Sequence, residues 1–304
     1  EKGGAAYFEM FRRSCQDPVA QNLPPQAEKC DEIAYNAARA FQAARLVAKA
    51  ITVRRALLAY DEKLKLNSPL AKKATYEIAG NYQAIAVYDL AAEWYERYAK
   101  SDPKGPDADK ALSDAVILRL GLGQEEQAID DARTFTKNYG GAKPAQTASI
   151  AFAVGAHYAE KEDWDKARGA LTGSMSVIDR AAPDIQAQAH ATLGRVYLRG
   201  YKGAQGENQA RGEYARVRGL WADPARAEAA IRAAYPTEDD GAKDRRLAKA
   251  LNAVGEAYFF AAEARRKAEV DSLKFPAYTG PGDKATVVKH IQTKVTEWYG
   301  KKRA

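Results

Sequence analysis

Residues 149–180 constrain the fold more than any other part of the chain. They read Ala151-x-x-Val154-Gly155-x-x-Tyr158, then Trp164-x-x-Ala167-x-x-x-Leu171-x-x-Ser174. Small and large residues alternate at the offsets two antiparallel helices need in order to lie close. Gly155 and Ala167 clear space, and Val154, Tyr158, Trp164 and Leu171 fill it. One helix pair cannot hide its own apolar face, so such a unit calls for copies of itself along the chain.

The copies are present. With Gly155 as marker, an aromatic or long residue three places on and a small residue twelve places on, the pattern recurs at Gly194/Tyr197, at Val116/Arg119 with Ala128, and at Ala79/Tyr82 with Ala91. A fainter copy is Ala38/Phe41 with Ala50, and a last one opens at Gly255/Tyr258. Successive markers are 41, 37, 39, 39 and 61 residues apart, the spacing of a helical array with loop insertions.

With 46% apolar residues in 304, the chain can bury a sizeable core, and its Ala-rich runs with little period-two alternation specify an all-α protein. No run of 18 apolar residues exists, so no transmembrane helix is expected. Glu1-Lys2-Gly3-Gly4 does not have the form of a secretory leader, and is expected to be a mature start or a boundary within a longer chain. The net charge of +7 comes from 47 basic and 40 acidic residues interspersed along the helices. Mixed charge of this kind is a solvated surface, and without a basic stripe or base-stacking motif no nucleic-acid partner is expected.

Little points to chemistry. His157, His190 and His290 fall on separate helices outside any metal-ligand spacing, and no Ser sits in a nucleophile elbow. Tyr139-Gly140-Gly141-Ala142-Lys143-Pro144 lacks the rest of a phosphate loop and is a helix stop and linker. No catalytic residue, cofactor or metal is expected. Cys15 and Cys30 flank a Pro-containing stretch. They can close a disulfide that holds the N-terminal segment to the first long helix, which would imply an oxidising compartment, or they can be two buried thiols.

In order, residues 1–30 form an N-terminal capping segment with a short aromatic helix over 5–14. Residues 31–272 form the repeat array, with insertions at 200–207 and 223–242, and residues 273–304 a turn and a C-terminal amphipathic helix. Helices are expected over 27–46, 47–66, 70–85, 87–100, 107–122, 125–138, 185–199, 205–221, 225–234, 244–273 and 284–302, besides the pair at 149–180. Leu247, Leu251, Val254, Tyr258 and Ala261 should make the apolar side of the long helix, with Phe259 and Phe260 widening it. In the last helix Val287, Val288, Ile291, Val295, Trp298 and Tyr299 form a stripe among lysines, suited to capping the array or to a partner helix or membrane surface. The aromatics Tyr76, Tyr82, Tyr88, Trp94, Tyr95 and Tyr98 belong mainly to packing, with Tyr76 the one placed to meet a ligand.

The chain resembles the tetratricopeptide repeat (TPR) family. The likeness is carried by Val154-Gly155, Tyr158, Trp164, Ala167 and Leu171; by Leu193-Gly194, Tyr197, Ala210 and Tyr214; and by Ile78-Ala79, Tyr82, Ala91, Tyr95 and Pro103. Arg119 departs from it where an aromatic is usual, and Ala210 is displaced by an insertion of about four residues. The resemblance covers roughly residues 30–300 and implies a right-handed α-α superhelix of about five to six helix pairs with terminal capping helices. It also implies a concave groove lined by the first helix of each pair. Carried over by position, the lining is Lys73, Tyr76 and Gln83; Lys110 and Ser113; Phe152 and Ala156; Arg195 and Arg199; and Lys249, Asn252 and Phe259. This is not the carboxylate-gripping set of one TPR subset. A mixed aromatic and basic lining suits an extended or helical protein segment of some acidic character.

A narrower likeness, in Asn67-Ser68-Pro69-Leu70-Ala71-Lys72-Lys73-Ala74 and in the 273–282 turn before a Lys-rich helix, is to TPR proteins of the bacterial cell envelope associated with gliding motility. It implies a non-enzymatic scaffold in the periplasm or peripherally at the outer membrane. The alternatives are a cytoplasmic peptide-binding adaptor or co-chaperone-like regulator and, from another class, an enzyme-associated domain. The sequence leaves the partner's identity and the oligomeric state open.

Overall fold

The computed structural model describes residues 1–201, 203–272 and 284–303, and no strand occurs among them. The chain divides into two compact units, Glu1–Ala181 and Ala182–Ala304.

The first unit opens with α1 (Lys2–Phe11), a π-helical turn (Arg12–Gln16) and α2 (Asp17–Ala20). The expected 5–14 helix thus starts earlier and runs on past Pro18; the Ser14 carbonyl, which proline's missing N–H cannot serve, accepts from the Gln26 N–H at 2.6 Å instead. Four antiparallel pairs follow: α3 (Cys30–Ala43) with α4 (Val47–Leu64), α5 (Pro69–Ala84) with α6 (Tyr88–Ser101), α7 (Ala108–Gly121) with α8 (Glu125–Tyr139), and α9 (Pro144–Glu160) with α10 (Trp164–Ile178). Cys15 and Cys30 are joined by a disulfide with Cα atoms 5.9 Å apart, tying the π turn to the start of α3.

The repeat is physical as well as textual. Twelve residues beyond each marker Ala50, Ala91, Ala128 and Ala167 are fully buried, because only a methyl fits where the second helix crosses the first. Seven residues beyond each marker the chain turns left-handed, at Arg45 (φ 59°), Ala86 (59°), Gly123 (73°) and Glu162 (59°). The next N–H then reaches back five residues in every case: Leu46 to Phe41 at 2.9 Å, Val87 to Tyr82 at 3.0 Å, Gln124 to Arg119 at 2.9 Å and Asp163 to Tyr158 at 2.9 Å. These are Schellman stops, which satisfy carbonyls the helix end would orphan and aim the chain into the second helix. Second helices then pack on the next first helix, α4 on α5, α6 on α7 and α8 on α9. The unit is an all-α, TPR-like stack of helix pairs.

The second unit contains α11 (Pro183–Gly200), α12 (Ala204–Leu220), α13 (Pro224–Ala234), α14 (Asp240–Ser272) and α15 (Lys284–Arg303). The 200–207 insertion is mostly helical and lengthens the start of α12. α11 and α12 repeat the pair geometry, and a Cβ on Gly194 would lie 2.9 Å from the Tyr214 ring, as one on Gly155 would lie 2.5 Å from Leu171. Gly255 breaks the series. Nothing lies within 4 Å of a Cβ there, so it is not at an equivalent crossing. The expected apolar side of α14 is also corrected: it buries Ala250, Ala253, Val254 and Ala257 against α11 and α12, leaving Leu251, Tyr258 and Phe259 at 47%, 53% and 69% exposure. On α15 Val288, Ile291 and Val295 are exposed, and the Trp298 indole donates to Glu269 on α14 at 3.0 Å. The 273–282 turn lies outside the described residues. No helix among the described residues is long and apolar enough to cross a membrane.

Candidate functional site

The candidate site is the face built by the first helices of the pairs in the first unit. Lys73, Tyr76 and Gln83 stand on α5, Lys110 and Ser113 on α7, and Phe152 and Ala156 on α9. Their shared register follows from the common marker. Arg195, Arg199, Lys249, Asn252 and Phe259, from the same expected lining, belong to the second unit.

Within the first unit several of these side chains are held. The Lys73 ammonium lies over the Tyr35 ring at 5.5 Å, and the Tyr35 hydroxyl donates to Glu77 at 2.6 Å. Tyr76 is half-buried against Tyr95 and Tyr98, with ring centroids 5.5 and 5.3 Å away, so it is mainly a packing residue. Burial raises its phenol above the usual tyrosine range, while the Tyr76 oxygen beside Lys110 raises that ammonium. Burial also raises the Asp114 carboxyl, with Lys110 opposing. Gln83 accepts from the Tyr95 hydroxyl at 2.7 Å. Exposed along this face are Lys73 and Lys110, beside their tyrosine partners, with half-buried Phe152 and half-exposed Ile117, one place beyond its marker.

A buried charged group joins the first helices of this unit. Arg54 on α4 is fully buried. It donates to Glu77 from Nε at 2.9 Å and Nη2 at 2.6 Å, to Asn81 at 2.6 Å and to Gln42 at 2.6 Å. A buried guanidinium is tolerable only with its donors satisfied and its charge matched, and one arginine here locks α3, α4 and α5 together. A signal was available: Arg54 stands sixteen residues beyond its marker, in the slot of Tyr95 and Leu171. Arg119, the departure in the third pair, donates to Glu96 at 2.6 Å and to Gln124 at 2.6 Å. Burial and the neighbouring Glu96 push the Asp131 carboxyl up to about 8.

In the second unit Arg195 is an ion-pair member, 3.4 Å from Glu256, which also accepts from the Tyr214 hydroxyl at 2.6 Å. Arg199, Lys249 and Asn252 are exposed. Buried His190 sits 2.6 Å from Glu213. Fully buried Asp184 accepts from Tyr235 at 3.1 Å, and Arg246 stacks over Tyr235 at 3.7 Å while pairing with Glu238 at 2.6 Å, which anchors α13. These contacts tie helices together, and His190, one of the lone helical histidines of the sequence, falls among them.

No family model matches the chain. No curated protein matches it either. Among solved structures it is similar to BtubC (BKLC) from P. vanneervenii, with 17% identity over 78% of this chain and 92% of that one and a TM-score of 0.43. It is also similar to two structures of a Podosopora anserina putative kinesin light chain with nearly identical TPR-like repeats. One of them, a point-substituted form, is 16% identical over 64% of this chain and 95% of that one, and the other 15% identical over 62% and 98%, each with a TM-score of 0.41. The fold class rests on this chain's own recurring stops and crossings: it is a TPR-like helical-repeat protein.

Proposed function

We propose that the protein is a non-enzymatic scaffold that holds a segment of a partner protein along the first-helix face of the first unit. One observation carries this reading: the repeat fixes the positions of Lys73, Lys110, Ile117 and Phe152 while leaving those side chains out of the core. A rigid scaffold that presents apolar anchors between cations suits a partner segment with apolar side chains and some negative charge. Helical-repeat folds frequently carry protein-protein interaction, which supports the reading by analogy.

We further propose that the setting is oxidising and extracytoplasmic, in a cell-envelope assembly. The Cys15–Cys30 bond supports this, since disulfides persist in such compartments. The gliding-motility setting rests on the sequence likeness alone. A thiol count on denatured, non-reduced protein taken from its native host tests the compartment, and two free thiols would favour the cytoplasmic adaptor.

The binding face is tested by cross-linked capture of partners with the wild-type chain and with a Lys110→Glu/Ile117→Ser/Phe152→Ala variant. Loss of one specific partner in the variant is expected, and unchanged capture would remove the face from consideration.

A further inference from the structure

In the second unit, α12 and α14 enclose an open cleft of about 490 Å³. Arg211 and Arg218 line it from α12, and Tyr258 and Arg265 from α14, with Phe260 and four alanines of α14 as its floor. Each helix contributes residues seven apart, so two turns of one face the same two turns of the other. We propose that this cleft binds a short acidic segment of a partner protein, seating one aliphatic or aromatic side chain on the alanine floor between carboxylates held by the arginines.

The charge pattern carries the inference. Arg211 and Arg265 are exposed, with no carboxylate bonded to either among the described residues, and Arg218 donates to the backbone carbonyl of Ala257 at 3.2 Å. The carboxylates nearby in sequence are already committed: Glu207 to Lys267 at 3.0 Å, Glu213 to His190, Glu263 to Arg266 at 2.9 Å and Glu269 to Trp298. Elsewhere in the unit Arg195, Arg232 and Arg246 each have an acidic partner. Among the described residues, no carboxylate compensates the three guanidinium groups around this apolar floor. Guanidinium is the side chain best matched to carboxylate, two N–H groups to two oxygens, and the apolar floor supplies burial for an anchor.

The same pattern excludes other occupants. A nucleic-acid strand needs a basic track that follows its backbone, and the adjoining cations Arg266 and Lys267 are neutralised by Glu263 and Glu207. The volume holds a few side chains, which sets the segment at a few residues.

The site is separate from the face proposed for the first unit, and the test keeps them apart. A random dodecapeptide display library is panned on the full 304-residue chain, and recovered peptides are measured by fluorescence anisotropy. Recovered sequences are expected to be rich in Asp and Glu around one aliphatic or aromatic residue. Their affinity should weaken about tenfold between roughly 50 and 500 mM NaCl. Arg211→Gln/Arg265→Gln, at two exposed and unpaired positions, should lose about tenfold in Kd with the circular dichroism unchanged. Ile117→Ser/Phe152→Ala should leave Kd unchanged. Four outcomes overturn the proposal: neutral or basic recovered peptides, no recovered peptide, affinity indifferent to the arginine pair, or displacement of the peptide by a 20-nucleotide oligothymidine that binds more tightly.

Discussion

The α9–α10 crossing and α14 carry the same sequence marker and differ in what stands against it. At the crossing, Leu171 approaches Gly155 so closely that no Cβ could be added without movement. On α14, Gly255 faces open space, with exposed Leu251, Tyr258 and Phe259 on the same helix. The difference shows that the marker specifies a helix able to receive a partner, and that the residue sixteen or so places on decides what fills it. The slot holds Tyr95 in one pair, Leu171 in another, Tyr214 after the insertion, and a charged Arg54 in the first. α14 runs on as one helix through Ser272, and among the described residues nothing is seated against Gly255.

The largest effect should come from the charged filling. Arg54→Ala leaves Asn81 and Gln42 without this donor and the Glu77 charge unmatched, with the Tyr35 hydroxyl as its remaining donor, inside the α3–α4–α5 packing, and should cost about 3–5 kcal/mol in urea unfolding. Pairing Arg54→Met with Glu77→Leu removes both charges and should restore much of that loss. If Arg54→Ala alone costs less than about 1 kcal/mol, the slot is not a structural position in the first pair and the comparison fails there.

Next is the filled crossing itself. Gly155→Val must displace Leu171, and overpacking of this kind costs about 1–3 kcal/mol. The calorimetric midpoint should fall accordingly. Gly194→Val should behave alike, since Tyr214 stands in the same relation to it. A large effect at one glycine and none at the other would break the equivalence of the two units' pairs.

A gain is expected at the turns. Ala86 holds φ at 59°, a conformation that Gly123 adopts freely at the equivalent stop and that costs an L residue about 1 kcal/mol. Ala86→Gly should therefore raise stability by up to that amount, whereas Gly123→Ala should lower it. Measured side by side, the pair sharpens the claim that these loops are one structure repeated.

The repeat was legible in the sequence because small residues at fixed offsets leave a spacing that survives variation elsewhere, as Ala50, Ala91, Ala128 and Ala167 do. The four stops were not, since only Gly123 announces a left-handed residue and Arg45, Ala86 and Glu162 carry no such sign. The buried face of α14 was misread for a related reason. Periodicity weights Leu251 and Tyr258 by their size, but a close helix crossing selects Ala250, Ala253 and Ala257. Arg54 was passed over because a lone arginine on a helix is ordinarily at the surface, and only its position relative to the marker marks it as core. Of the candidate site, the positions of Lys73, Tyr76, Lys110 and Phe152 on one register followed from the repeat. That Tyr76 is held by Tyr95 and Tyr98, and that Arg195 is tied to Glu256, depended on neighbours that sequence spacing does not bring together.

The smallest effect tests the open half of the comparison. Gly255 lies in the interior of a 33-residue helix with nothing within 4 Å of an added Cβ, so Gly255→Ala meets no steric cost. It gains what alanine gains over glycine in a helix, about 0.5–1 kcal/mol, through the smaller entropy of the unfolded chain. The sign is what matters, because the same substitution at Gly155 must push against Leu171. Stabilisation at 255 beside destabilisation at 155, read from urea midpoints at equal slopes, means that one marker stands in two states in one chain. Destabilisation at both would mean that a second helix seats against Gly255 in solution. Loss of that penalty on dilution would then assign the helix to another copy of the chain, because only an intermolecular contact depends on concentration.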